Sequence, residues 1–135
     1  MNRYLAAYAG TAAVMVALDM LWLGVIAKPL YQEGIGHLMA DAPIVSVAVL
    51  FYLLYALGVV IFAVSPQHHG ASWGATLSLG ALFGFFAYAT YDLTNLATLR
   101  EWPLRLSLID MAWGTVVSTA AAAGGKAAMD WSARF

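Results

Sequence analysis

Asp19, Asp92 and Asp110 each interrupt a long apolar run, and an aspartate at the centre of a membrane-spanning helix costs about 2.5–3.5 kcal/mol on insertion scales. A cost of that size demands a partner, water or a function. At about 1.5 Å per helical residue, Asp19 stands roughly 12 Å from the Lys28 end of its run, Asp92 roughly 10 Å from the Leu99 end and Asp110 roughly 9 Å from the Leu104 end. Successive spans alternate direction, so all three depths are measured from one face. The spacing therefore predicts a single acidic cluster fed by three helices. Carboxyl groups in such a cluster can exchange protons, hold a hard divalent cation or fix the polar head of a membrane-soluble molecule. Arg100 and Arg105 are close enough in sequence to Asp92 and Asp110 to turn inward and pair with them instead.

Aromatic and small polar residues fall at the same depth. Tyr52 and, one turn deeper, Tyr55 come from the second run, and Tyr88 precedes Asp92 by one turn. Gly80, Gly84, Tyr88 and Asp92 form an i+4 ridge whose small residues permit close helix contact, so the ridge should face the bundle. The pattern Asp-x-x-Trp occurs twice, at Asp19 with Trp22 and at Asp110 with Trp113, which puts an indole N–H and a carboxylate on one helix face. It pairs the first run with the fourth, so it is not read as an internal repeat. The candidate binding set is Asp19, Trp22, Tyr52, Tyr55, Tyr88, Asp92, Thr94, Asn95, Arg100, Arg105, Asp110 and Trp113. Within it Asp92 is expected to matter most, with Thr94, Asn95 and Thr98 as hydrogen-bond neighbours and Arg100 or Arg105 as counter-charge. Polar residues in small bundles also serve as interhelical glue, at about 0.6 kcal/mol each. For one aspartate, glue and function are evenly matched, and three at one depth tip the balance to function.

The elements that must position these groups follow from composition. Of 135 residues 63% are hydrophobic and 10% charged, and mean hydropathy is +0.79, far from the balance of an ordinary soluble domain. A net charge of −1 leaves no positive excess for nucleic acid. With no cysteine there is no disulfide framework or thiolate metal site. The apolar residues gather into runs over 5–27, 44–64, 73–99 and 104–123, each long enough to cross about 30 Å of hydrocarbon. None shows the period-2 alternation of a barrel strand, which leaves helices to satisfy the backbone in lipid.

The expectation is one all-α domain, a four-helix transmembrane bundle with both termini on one side. Lys28 to Pro43 is too short and polar to span and should lie at the interface as a bent amphipathic segment. The first run reads as a retained anchor. Positive charges divide evenly, with Lys28, Arg100 and Arg105 on one face and Arg3, Lys126 and Arg134 on the other, and the α-amino group tips the termini toward the cytoplasm. Trp73, Trp102 and Trp131 are expected as interface anchors, His68 and His69 as a solvated turn, and Gly124 with Gly125 as a fraying helix end.

Missing residues exclude several chemistries. No lysine lies within the four runs for a Schiff base, no mid-span histidine pair suits haem, and there is no phosphate-binding glycine loop or Ser–His hydrolase pattern. No cofactor is expected. The motifs DxxWLG at Asp19 to Gly24, FYLLYxxG at Phe51 to Gly58, YDLTNLATLxxWP at Tyr91 to Pro103 and DxxWGT at Asp110 to Thr115 resemble a bacterial family of small integral membrane proteins, domain-of-unknown-function family 2177, over about residues 4 to 118. The resemblance implies a multi-pass protein of the bacterial inner membrane and carries no assigned reaction. The leading expectation is a site open toward the first and third loops that binds or processes a lipid or lipophilic small molecule. The alternatives are a proton-coupled small transporter acting as a homo-oligomer, and a non-catalytic subunit or assembly factor.

Overall fold

A computed structural model describes residues 2–67 and 72–134. His68 and His69, expected in a solvated turn, lie outside the described residues. Among those described, every regular element is helical: α1 (Arg3–Leu21) runs on through a π-helical turn (Trp22–Ile26), α2 (Lys28–Ile35) ends in a 3-10 turn (Gly36–Leu38), α3 (Val45–Val59) runs on through a second π turn (Val60–Val64) and a 3-10 turn (Ser65–Gln67), and α4 (Trp73–Thr98) and α5 (Leu104–Ser132) follow.

Local chemistry sets the boundaries. The Asn2 side chain accepts from the Tyr4 N–H at 2.8 Å and Ser72 from the Ala75 N–H at 3.2 Å, each satisfying an orphan donor of the first turn. Pro29 opens α2, where its missing N–H is not needed. Leu99 is extended, and Glu101 takes a positive φ of 60°, so the chain reverses tightly between α4 and α5.

Arg3–Ile26, Val45–Val64 and Leu104–Ser132 are long and apolar enough to cross a membrane. α4 has 26 residues, a length of about 39 Å, but its tyrosines, glycines, Asp92 and Asn95 dilute its hydropathy and it does not join those three. Its buried ridge, Gly80, Gly84 and Asp92, faces α5, against which α4 packs along most of its length.

The sequence reading ends the last helix at residue 123, whereas α5 continues to Ser132. Gly124 and Gly125 do not cap it, because they are where α1 crosses it. A Cβ on Gly124 would stand 2.5 Å from Val14 Cγ2, and one on Gly125 would strike Thr11 Oγ1 while standing 3.1 Å from the Ala7 carbonyl oxygen. Bare backbone at this crossing outweighs the helix propensity lost. Replacing Gly125 by valine is expected to destabilise the protein by about 1–3 kcal/mol through overpacking, seen as a lower melting temperature in detergent; an unchanged value would contradict this crossing.

Lys126 is thus helical and 1% exposed, its Nζ donating to Asp130 Oδ2 at 2.6 Å and lying 4.7 Å from the centre of the Trp73 ring. Trp73 therefore carries an ammonium on its face. Trp73 stays exposed, but Trp102 is not an exposed anchor: it is buried, with Nε1–H donating to Ser107 Oγ at 2.9 Å and its ring edge-on to Tyr91.

The hydrophobic core occupies the half of the bundle nearer the termini, where Met15, Val59, Val64, Val117, Ala121 and Ala122 pack together. The other half is looser. The backbone of Val60–Val64 lies close against α4, but Val45–Val59 diverges from it, leaving Tyr55 to bridge the gap edge-on to Phe83 and Tyr88.

Candidate functional site

In that gap lies a cavity of about 590 Å³ to which all five helices contribute, with Asp19, Trp22 and Leu23 from the α1 segment, Tyr31 and Ile35 from α2, Ala48, Phe51, Tyr52 and Tyr55 from α3, Ala87, Tyr88 and Tyr91 from α4, and Asp110 and Trp113 from α5. Leu23, Phe51 and Tyr91 are exposed and form its rim.

The two Asp-x-x-Trp pairs serve each other across the α1–α5 contact. Trp113 Nε1–H donates to Asp19 Oδ1 at 2.8 Å, and Tyr52 donates its hydroxyl to Asp19 Oδ2 at 2.8 Å. Trp22 stacks on Trp113, centroids 4.4 Å apart and planes 5° from parallel. Its own Nε1–H donates at 3.2 Å to Tyr31 Oη, which in turn donates to Asp110 Oδ1. Trp113 thus holds the first aspartate directly, while Trp22 reaches the second through Tyr31. The π turn at Trp22–Ile26, closed by Ala27 N–H to the Trp22 carbonyl at 2.7 Å, inserts an extra residue and lets α2 fold back over the cavity. There the Gly34 backbone approaches Pro103 and Leu106. Burial, and then the hydrogen bond to Asp110, push the Tyr31 hydroxyl above its ordinary range, so Tyr31 keeps its proton at neutral pH and remains a donor.

Asp19 and Asp110 are 4% and 6% exposed, and Asp92 is fully buried. Asp92 lies in the field of Asp110, as does Asp19, so the three carboxyl groups form one electrostatic unit. Neither oxygen of Asp92 has a hydrogen-bond partner other than the Asp110 carboxyl beside it, with which it can share a proton. The expected counter-charge is missing: among the described residues Arg100 and Arg105 are exposed and neither pairs with Asp92 or Asp110. Arg100 lies in the reversal after α4 and Arg105 in the first turn of α5, both beyond the layer of the acids, where solvation outside costs less than burial.

Of the candidate set, Asp19, Trp22, Tyr52, Tyr55, Tyr88, Asp110 and Trp113 line the cavity. Asp92 sits buried beside it. Tyr55 also shares a hydrogen bond with Ser118 at 2.7 Å, and the Tyr88 ring rests on Gly114, a position that admits no Cβ. Thr94 is a correction: two residues past Asp92 on a helix is the opposite face, and its hydroxyl is spent on the carbonyls of Thr90 and Tyr91. Asn95 is half-buried and does not line the cavity. The residues that sequence reasoning missed include Tyr31, Phe51 and Tyr91. Tyr31 stands in a segment too short to span, and its one signal is an aromatic residue two positions after a helix-opening proline. Among the described residues no group of three or more His, Asp or Glu side chains is arranged to hold a metal ion.

Residues 4–127 match the family DUF2177, described as a predicted membrane protein. The chain belongs to this family. No curated protein and no solved structure matches it. The DUF2177 match contains every residue that lines the cavity.

Proposed function

We propose that this DUF2177 protein is a bacterial inner-membrane protein in which α1, α3, α4 and α5 all span the bilayer, and that its one-sided cavity binds a lipid or another lipophilic small molecule. The cavity carries the reading. Its roughly 590 Å³ lies within the range of about 300–1,000 Å³ usual for small-molecule sites. The walls are aromatic and aliphatic, the rim of Leu23, Phe51 and Tyr91 is exposed, and the inner surface bears Asp19 and Asp110. In a bilayer the divergence of α3 from α4 makes a sideways entrance for an acyl chain, with the acids positioned for its head.

Packing at the other end supports binding over carriage through the bundle. Met15, Val59, Val117 and Ala121 fill the terminal half, and the polar Thr11, Thr76, Ser118 and Lys126 there are packed in at 0–1% exposure, whereas a proton-coupled carrier needs water from both faces. The inward-facing ridge on α4 argues likewise against a subunit that docks through its polar face.

The decisive test is retention. Protein purified into nanodiscs is extracted and its lipophilic contents identified by mass spectrometry, beside Ala87→Trp, which fills the cavity from its wall. The expected result is a species enriched about tenfold in the wild type, the equivalent of ~1.4 kcal/mol. Equal contents in both proteins overturn the reading. The topology has its own check in single-cysteine labelling: positions 28 and 100 should react from one side and positions 3 and 126 from the other. Reaction of positions 3 and 28 from the same side removes the first crossing and the shared depth of the acids with it.

A further inference from the structure

Which head the cavity accepts can be read from its unspent hydrogen-bonding capacity. The indole and phenol donors nearest the acids are already committed: Trp113 and Tyr52 to Asp19, Tyr31 to Asp110, Trp22 to Tyr31. What remains toward the cavity is the free lone pairs of Asp19 and Asp110, with the Tyr88 and Tyr91 hydroxyls, which can donate or accept. Behind them Asp92, fully buried and with only the Asp110 carboxyl as a hydrogen-bonding neighbour, adds a further carboxyl to the same field. Among the described residues no Lys, Arg or His pairs with any of the three. A carboxyl buried this way either keeps a proton or takes up a cation, and the chain itself supplies no cation.

Around the acids the walls present aromatic faces and edges: the stacked Trp22 and Trp113, with Tyr52, Tyr55, Tyr88 and Phe51. Aromatic rings around carboxylates attract a weakly hydrated cation through both the ring quadrupole and the charge, and they disfavour an anion by the same fields.

We propose that the occupant is a lipophilic cation, an amphiphile with an alkylammonium head seated between Asp19 and Asp110 and its chain leaving between α3 and α4. This rests on the reading of the cavity as a lipophile site and adds the sign of the head. Neutral heads gain the apolar contacts without the charge compensation, and sulfate or carboxylate heads meet repulsion.

Three probes of equal chain length separate the possibilities: decyltrimethylammonium, decanol and decyl sulfate. Saturable binding of each is measured to the full-length protein in phosphatidylcholine nanodiscs, above that to empty discs, for the wild type, Ala87→Trp and Asp110→Asn. The cation is expected to bind at least about tenfold tighter than decanol, with no saturable binding of decyl sulfate and loss of all saturable binding in Ala87→Trp. Asp110→Asn should weaken the cation by a larger factor than decanol. If decanol or decyl sulfate binds as tightly as the cation in wild type but not in Ala87→Trp, the cation proposal fails and the lipophile site stands. If no probe distinguishes wild type from Ala87→Trp, the lipophile site itself fails and the cation proposal with it. The wild-type comparison decides the matter even where Asp110→Asn does not fold.

Discussion

Asp92→Asn is expected to raise the melting temperature of the purified protein while weakening its hold on decyltrimethylammonium. Both carboxyl oxygens of Asp92 are buried with no hydrogen-bonding neighbour but the Asp110 carboxyl, and an incompletely satisfied buried polar group costs about 1–3 kcal/mol, more when charged. The nearest titratable neighbour is another acid, Asp110. Asparagine keeps the shape, removes the acid and places an amide donor beside the Asp110 carboxylate. The substitution should therefore recover about 1–3 kcal/mol of stability, read as a rise in melting temperature in detergent. Under the cation reading, the same change subtracts a carboxyl from the field that holds the head and lowers affinity. A residue that destabilises the fold and serves the ligand is the usual signature of a functional site. A lower melting temperature in Asp92→Asn would mean that the carboxyl has a partner and works as interhelical glue. A higher melting temperature with undiminished cation binding would remove Asp92 from the site.

The convergence of Asp19, Asp92 and Asp110 was legible because depth along a helix is arithmetic: a rise per residue, alternating direction and a count back to each loop. The facing of the Gly80 to Asp92 ridge was legible for the same reason, since i+4 spacing fixes a stripe. Thr94 is near Asp92 in sequence but not on its face, since two residues along a helix lead to the far side. Composition could not reveal Tyr31, because α2 returns over the cavity through a π turn and a tight bend at Ala27, and the residues that fix its angle, Pro103 and Leu106, lie far off in sequence. Gly124 and Gly125 misled in the opposite direction: a glycine pair after an alanine run reads as a helix end until the neighbouring helix that needs the space is known. The arginines misled because sequence proximity to an acid says nothing of whether burial or solvation is cheaper for the guanidinium.

Trp22→Phe and Trp113→Phe are expected to differ sharply, although the two tryptophans occupy the same place in the same motif. Either substitution preserves a ring for the stack and deletes one indole N–H. At Trp113 that N–H is one of two donors to Asp19, which is 4% exposed. Its loss leaves a buried carboxylate oxygen unsatisfied, and a hydrogen bond to a charged group is worth about 1.5–3 kcal/mol. Tyr52 cannot replace it, since its hydroxyl already serves the other oxygen. At Trp22 the N–H reaches only the oxygen of Tyr31, at 3.2 Å, and Tyr31 keeps its own donation to Asp110, so about 0.5–1.5 kcal/mol is at stake. Trp113→Phe should therefore lower the melting temperature by more than Trp22→Phe and weaken decyltrimethylammonium more strongly, because a mobile Asp19 no longer presents its lone pairs to the head. Should the two variants melt and bind alike, Asp19 would be held by Tyr52 alone, and the exchange of partners between the two Asp-x-x-Trp pairs would have no energetic content.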